Sequence, residues 1–291
     1  MTIYLFIEQL INGLIIGSTY ALIGSGIALI YGTMRVLNLA HGEFYMLGGY
    51  FVFYLAVSYG LTPWIAIPAA IAMAFVLGAL VQRLTIHYLL GREGWMFSTI
   101  AATLGLSIFL QNAALLLFGE QFQSIPYYVT GVLELGPIRI PAQRILIFFV
   151  AMVTIAGMTY LLKYTRLGWA IRATSQDRDA AAVVGIPAER IYMITFGIAA
   201  ALGAIAAAML GPIYSINPWS GLPMLLKGFV VVILGGLGSF PGAIVGGLIL
   251  GVVEAIGVQV TSSEWRDVIS FGLMIAVIWW RPWGLFGKKP S

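Results

Sequence analysis

Apolar residues along this chain gather into long runs separated by short polar stretches. Windows of about 20 apolar residues, the length that crosses a bilayer core as a helix, fall at 8–31, 41–60, 63–82, 95–118, 143–162, 191–212, 223–236, 242–258 and 267–281. The pattern predicts an all-α polytopic membrane protein of about nine transmembrane or partly re-entrant helices, the seventh short, in a single domain spanning 1–291. Small residues recur at helical spacing inside the runs: Ala199, Gly203, Ala207 and Gly211, then Gly242 with Gly246 and Gly247 with Gly251. Such rows let helix backbones approach closely in lipid. The seventh run closes on Gly235, Gly236 and Gly238, whose freedom to take φ > 0 predicts a broken helix there.

Composition agrees with the pattern. Apolar residues make up 60% of the chain and charged ones 9%, with a mean hydropathy of +0.97, whereas about a quarter of a soluble domain is charged. The net charge of +4 does not point to nucleic acid, because the basic residues fall in short loops without an aromatic-interleaved patch. It reads as topology. Counted by loop parity, Arg35, Arg83, Arg92, the five Lys and Arg of 163–190, Arg281, Lys288 and Lys289 fall on one side, and Arg139, Arg144 and Arg266 on the other. The positive-inside rule then puts the C-terminus in the cytoplasm and the N-terminus outside. Trp64, Trp95, Trp279, Trp280 and Trp283 sit near run ends, as an interfacial belt would.

The longest polar island, Lys163 to Arg190, carries five of the fifteen basic and three of the eleven acidic residues. Thr174 followed by Asp177 has the form of a capping box, Gly185 suits a helix C′ position and Pro187 suits the first turn of the next helix. Small Ala180, Ala181 and Ala182 beside Asp179 would allow close approach to a partner. Two readings stand together: a solvated loop that anchors orientation, and a capped knob that docks another protein. The loop from Gly119 to Ala142, with Pro126, Gly131, Gly136, Pro137 and Pro141, predicts an ordered lid or hairpin on the opposite side, either packed over the bundle or touching an external partner.

Two interrupted places carry the remaining polar residues. Asn38, His41 and Glu43 lie between the first two runs, and Asn217 and Lys227 between the sixth and seventh. Each has an Asn followed closely by Gly at the mouth of a run, on opposite faces, the relation expected of inverted repeats. Ionisable residues in spans are costly and mark either a pathway or a structural pair; Glu8, Glu43, Lys227 and Glu254 qualify, and Lys227 could pair with Glu254. Asn38, His41, Glu43, Asn217 and Lys227 are the candidates for a translocation route.

Familiar catalytic sets do not occur. The two histidines, His41 and His87, lie on different segments, there is no cysteine, and no metal-ligand spacing arises. Neither a complete Gly-x-Ser-x-Gly elbow nor a P-loop is present. This chain is therefore not expected to cradle ATP in a P-loop.

The segments Asn38-Leu-Ala-His-Gly-Glu-Phe-Tyr-Met-Leu-Gly, Arg166-Leu-Gly-Trp-Ala-Ile-Arg-Ala with Asp179-Ala-Ala-Ala-Val-Val-Gly-Ile, and Leu234-Gly-Gly-Leu-Gly-Ser-Phe-Pro-Gly-Ala-Ile-Val-Gly-Gly-Leu resemble signatures of the branched-chain amino-acid ABC transporter permeases, in particular the LivH-type subunit. Urea and short-chain amide permeases are similar throughout. The resemblance implies an importer subunit in the cytoplasmic (inner) membrane of a prokaryote, not itself an enzyme and without a cofactor of its own. Its implied partners are a homologous second permease, two cytoplasmic P-loop ATPases, an external solute-binding protein, membrane lipid and a small-molecule solute. It also implies that the Asp/Glu-Ala-Ala-x3-Gly pattern, matched by Asp179, Ala180, Ala181 and Gly185 and preceded by Asp177, couples to the ATPase. Asp stands at the first place of that pattern where Glu is usual. An ion-coupled secondary transporter or channel is the competing class, motivated by Glu43, Lys227 and Glu254.

Overall fold

The computed structural model describes residues 3–287, so Lys288 and Lys289 of the charge count lie outside the described residues. The nine apolar runs return as nine helices, and the polar island adds two. Before the island come α1 (Ile3–Met34), α2 (His41–Phe53, prolonged by a π-helical turn over Tyr54–Ser58), α3 (Pro63–Val81, prolonged likewise over Gln82–Ile86), α4 (Trp95–Phe118) and α5 (Ala142–Tyr164). The island holds α6 (Arg166–Gln176) and α7 (Arg178–Val183); α8 (Ala188–Leu210), α9 (Gly221–Gly235), α10 (Phe240–Val260) and α11 (Arg266–Trp280) follow. Among the described residues six helices are long and apolar enough to cross a membrane: α1, α3, α4, α5, α8 and α10. By contrast α2, α9 and α11 are short, with 13, 15 and 15 residues.

The loop after α4 does form a hairpin. Strands β1 (Val132–Leu135) and β2 (Ile138–Pro141) pair antiparallel, Val132 opposite Pro141 and Leu135 opposite Ile138. Its approach is anchored to the bundle: Gln123 and Ile216 exchange backbone hydrogen bonds of 2.8 Å, and the Tyr128 hydroxyl donates to the Ala208 carbonyl at 3.0 Å.

The helices are arranged as two inverted halves. α1 runs along α10 as α3 runs along α8; α9 packs on α1 as α2 packs on α8; α4 touches α2 as α11 touches α9. Between the start of α1 and the start of α8 the chain runs through five bundle helices, α1–α5, before the two short island helices α6 and α7, and this odd number of passes brings the second half in from the opposite face. Direction is fixed by contacts at the ends. Gln9 bonds Gln259 at 3.1 Å while Gly32 meets Gly238 at the other end, which makes α1 and α10 antiparallel. On the face of the island, Leu285 and Phe286 donate to the carbonyls of Leu234 and Gly235, so the chain's last described residues return there, and α1 begins at the opposite face.

Glycine contacts set how closely the halves approach. A Cβ on Gly17 would lie 2.7 Å from the Gly247 carbonyl oxygen, and one on Gly251 would lie 2.4 Å from Gly17 Cα. Of the row that packs here, Gly247 and Gly251 stand out in sequence, and Gly13 and Gly17 complete it from α1. With lipid on one side as apolar as any side chain, this backbone contact supplies the packing that holds the helices together.

Three local expectations change. The island opens with the amphipathic α6, and α7 is capped by Asp177, whose carboxylate accepts from the Asp179 and Ala180 amides at 2.9 Å; Thr174 instead bonds back to the Ala170 carbonyl within α6. A cap at Asp177 displaces the expected helix start by three residues. Pro187 stands as the residue before α8, not inside its first turn. Finally, Gly236 and Gly238 have φ of 104° and 80° and break the chain between α9 and α10, whereas Gly235 is helical and is glycine because a Cβ there would sit 2.2 Å from the Gly242 carbonyl.

Candidate functional site: two half-helices and an exposed knob

After α1 closes at Arg35, a non-glycine residue at φ 58°, the chain turns back into the bundle. The His41 ring lies against Gly26, 2.6 Å from where a Cβ there would stand, eight residues inside the end of α1, or about 12 Å at the rise of an α-helix. Non-helical backbone at that depth needs partners from protein, and it has them. Asn38 Oδ1 accepts from the Ala40 amide at 3.0 Å, the Leu39 amide donates to Thr103 Oγ1 at 3.2 Å, and the His41 amide reaches the Asn38 carbonyl. The start of α2 is thus fixed from its own Asn and from α4.

The second half repeats the device from the other face. Asn217 Oδ1 accepts from the Trp219 amide at 2.9 Å, the Ser220 amide reaches the Asn217 carbonyl at 3.1 Å, and α9 begins at Gly221. The two half-helices meet at their N-termini. A Cβ on Gly42 would lie 2.2 Å from the Gly221 carbonyl oxygen, and one on Gly221 would lie 2.7 Å from a carboxylate oxygen of Glu43. Glu43, 3% exposed, thus stands where two positive helix ends converge, the placement in which a carboxylate is most favoured. Ser107 Oγ donates to its Oε1 at 2.9 Å. Its Oε2 and the Asn38 Nδ2 are buried with no hydrogen-bond partner.

The structure therefore brings Asn38, His41 and Glu43 together and leads the Asn217 turn into Gly221 beside them. Lys227 is elsewhere. Its Nζ lies 2.5 Å from Glu254 Oε1, 2.9 Å from Asp267 and 2.6 Å from Ser270 Oγ, and Tyr20 donates to Glu254 Oε2 at 3.0 Å. A buried ammonium with this set of partners is neutralised and hydrogen-bonded, so it ties α9 to α10, α11 and α1. The anticipated pairing of Lys227 with Glu254 holds.

On the island, α7 projects as a short knob. Asp177, Asp179, Ala180 and Ala182 are exposed, and Ala181 is buried while α7 packs on α6 and α8. Ala181 thus supports the knob from inside and presents nothing outward. The end is a Schellman closure: Gly185, at φ 84°, donates to the Ala182 carbonyl, and Ile186 donates to Ala181, both at 3.0 Å. This turn leaves Val183 and Val184 at 88% and 74% exposed, a pair that the row of small alanines beside it does not announce. Adjacent valines in a polar segment were the available signal.

The family described as branched-chain amino acid transport system / permease component matches residues 9–278. The chain is 38% identical over 300 residues to the high-affinity branched-chain amino acid transport system permease protein BraD of Pseudomonas aeruginosa, covering 98% of this chain and 97% of that one. It is 36% identical over 297 residues to the corresponding LivH of Escherichia coli K12, covering 97% and 96%. The LivM permease protein of the same organism is also similar, at 26% identity over 287 residues, 91% of this chain and 67% of that one.

Proposed function

The chain belongs to the branched-chain amino acid transport system permease family, and from this membership we propose that it is the membrane-spanning permease subunit of a binding-protein-dependent ABC importer. Its solutes on this reading are branched-chain or other hydrophobic amino acids. The observation that carries the proposal is the capped α7 knob with Val183 and Val184 held out in the open. Two adjacent valines kept out of every packed surface of the chain need a partner to cover them, and a rigid short helix between two spans presents them as a unit. The partner is a cytoplasmic P-loop ATPase, since this chain has no nucleotide-binding loop of its own. Similarity to both LivH and LivM supports a second, homologous permease beside it, with two ATPases below and a solute-binding protein at the hairpin face. The island face is then cytoplasmic, and the membrane is the inner membrane of a prokaryote.

On this reading the route passes the meeting of α2 and α9, where Glu43 and Asn38 each keep one polar atom free for a passing solute. The tight Gly42–Gly221 contact is the closed state of that passage, and transport separates the two half-helices. The saturated surroundings of Lys227 favour an architectural role for it over ion coupling. Affinity capture of the tagged chain from its native membrane tests the proposal. It should bring down a second permease and P-loop ATPases; a chain that purifies alone under conditions that preserve related transporters would contradict it.

A further inference from the structure

We propose that a groove on the island face, between the end of α1, the α5–α6 corner and the start of α10, binds one anionic phospholipid. The groove has a volume of about 300 Å³. Its lining is mostly apolar, with Ala28, Leu29, Leu162, Ile171 and Phe240, and Lys163 and Arg172 stand among the lining residues. No Asp or Glu lines it, and among the described residues neither cation enters an ion pair; Arg172 only approaches the Lys163 carbonyl at 3.5 Å. Two uncompensated positive charges lining an apolar cleft match a phosphate headgroup carrying acyl chains.

The position of the groove selects a lipid over a protein segment. Thr165 serves at once as the end of α5 and the cap of α6, accepting from the Gly168 amide at 3.1 Å, so α6 folds back immediately. Gly168 makes the corner possible, since a Cβ there would lie 2.3 Å from the Leu161 carbonyl oxygen. α6 buries Gly168, Ile171 and Thr174 and turns Arg166, Trp169 and Arg172 outward, the pattern of a helix lying in a membrane interface. Tyr160, Tyr164 and Trp169 are 64%, 68% and 58% exposed beside it, which marks headgroup depth. The knob with Val183 and Val184 lies further along the island, past the end of α6. Because α1, α5, α6 and α10 all meet here, an occupant would bridge the two halves of the fold next to the knob.

The test is a lipid titration read by native mass spectrometry on the intact transporter, delipidated and supplied with phosphatidylglycerol or phosphatidylcholine. The protein should retain one phosphatidylglycerol in preference to phosphatidylcholine. Lys163→Gln with Arg172→Gln, both on exposed positions, should weaken that binding about thirtyfold, from the attraction of two cations near an anionic surface. Thr159→Trp, which fills the groove and keeps both charges, should abolish retention as well, and Arg92→Gln with Arg190→Gln, the same charge loss outside the groove, should change nothing. Soluble glycerol phosphate should not compete. Equal binding by the Lys163/Arg172 variant would overturn the proposal, as would undiminished binding by Thr159→Trp, or displacement by glycerol phosphate, which would make it a phosphate site only.

Discussion

Gly42 and Gly221, the second residue of one half-helix and the first of the other, touch backbone to backbone: a Cβ on Gly42 would lie 2.2 Å from the Gly221 carbonyl oxygen. Neither glycine has positive φ, so what makes each glycine is proximity, not backbone conformation. The contact is where the two inverted halves of the fold cross.

Gly42→Ala and Gly221→Ala should each destabilise the folded protein by about 1–3 kcal/mol, the cost of overpacking a tight site. Gly105→Ala and Gly157→Ala, where an added Cβ meets nothing within 4 Å, serve as controls and should leave the melting temperature in detergent unchanged. Equal melting of all four variants would mean that the half-helices do not meet as described.

Lys227→Met leaves Glu254 buried without its cation and should cost about 3–5 kcal/mol, while the double replacement with Glu254→Leu should recover most of the loss, as for other buried pairs. Glu43→Gln keeps the hydrogen bond from Ser107 and should preserve assembly but reduce uptake. Thermal melting alongside uptake separates the two roles. Normal uptake by Glu43→Gln would remove it from the route.

The contrast between these two sites shows what a sequence of this kind reveals. Nine helices were legible because each apolar run must satisfy its backbone internally in lipid, and the Lys227–Glu254 pair was legible because buried charges seek partners. The repeat could be read from Asn38 and Asn217, which make the same turn in segments that enter the bundle from opposite faces. Less was visible on the island. Leu167 and Ile171 are too few to announce α6 against Arg166 and Arg172, and whether Ala181 or Ala182 faces outward depends on where the helix begins. That point is set by the Asp177 cap. The separation of Lys227 from Glu43 was not visible for a related reason: sequence order along α9 does not say which face of it the half-helix α2 crosses.

Val183→Asp and Val184→Asp should each weaken ATPase retention in detergent by more than 1 kcal/mol, the mark of a central contact. Gly185→Val should act similarly by straining a left-handed residue by about 1–2 kcal/mol, and Gln176→Ala should act on nothing. Ala181→Arg is expected to disturb the chain's own packing, seen as lowered melting. Full retention in all of the knob variants would move the docking surface elsewhere.

Single cysteines at Ser175 and Gln123, in a chain otherwise free of cysteine, should label with impermeant reagents from opposite faces, Ser175 from the cytoplasm and Gln123 from outside. Labelling of both from one face would contradict the arrangement.

Binding-protein-dependent import is measured as uptake of radiolabelled leucine into proteoliposomes carrying this chain with its second permease and ATPases, with the solute-binding protein outside and ATP in the lumen. Uptake should require both the binding protein and lumenal ATP and should survive collapse of the ion gradients. Uptake driven by an ion gradient without ATP, or selective uptake of urea or a short-chain amide with none of leucine, would contradict the account.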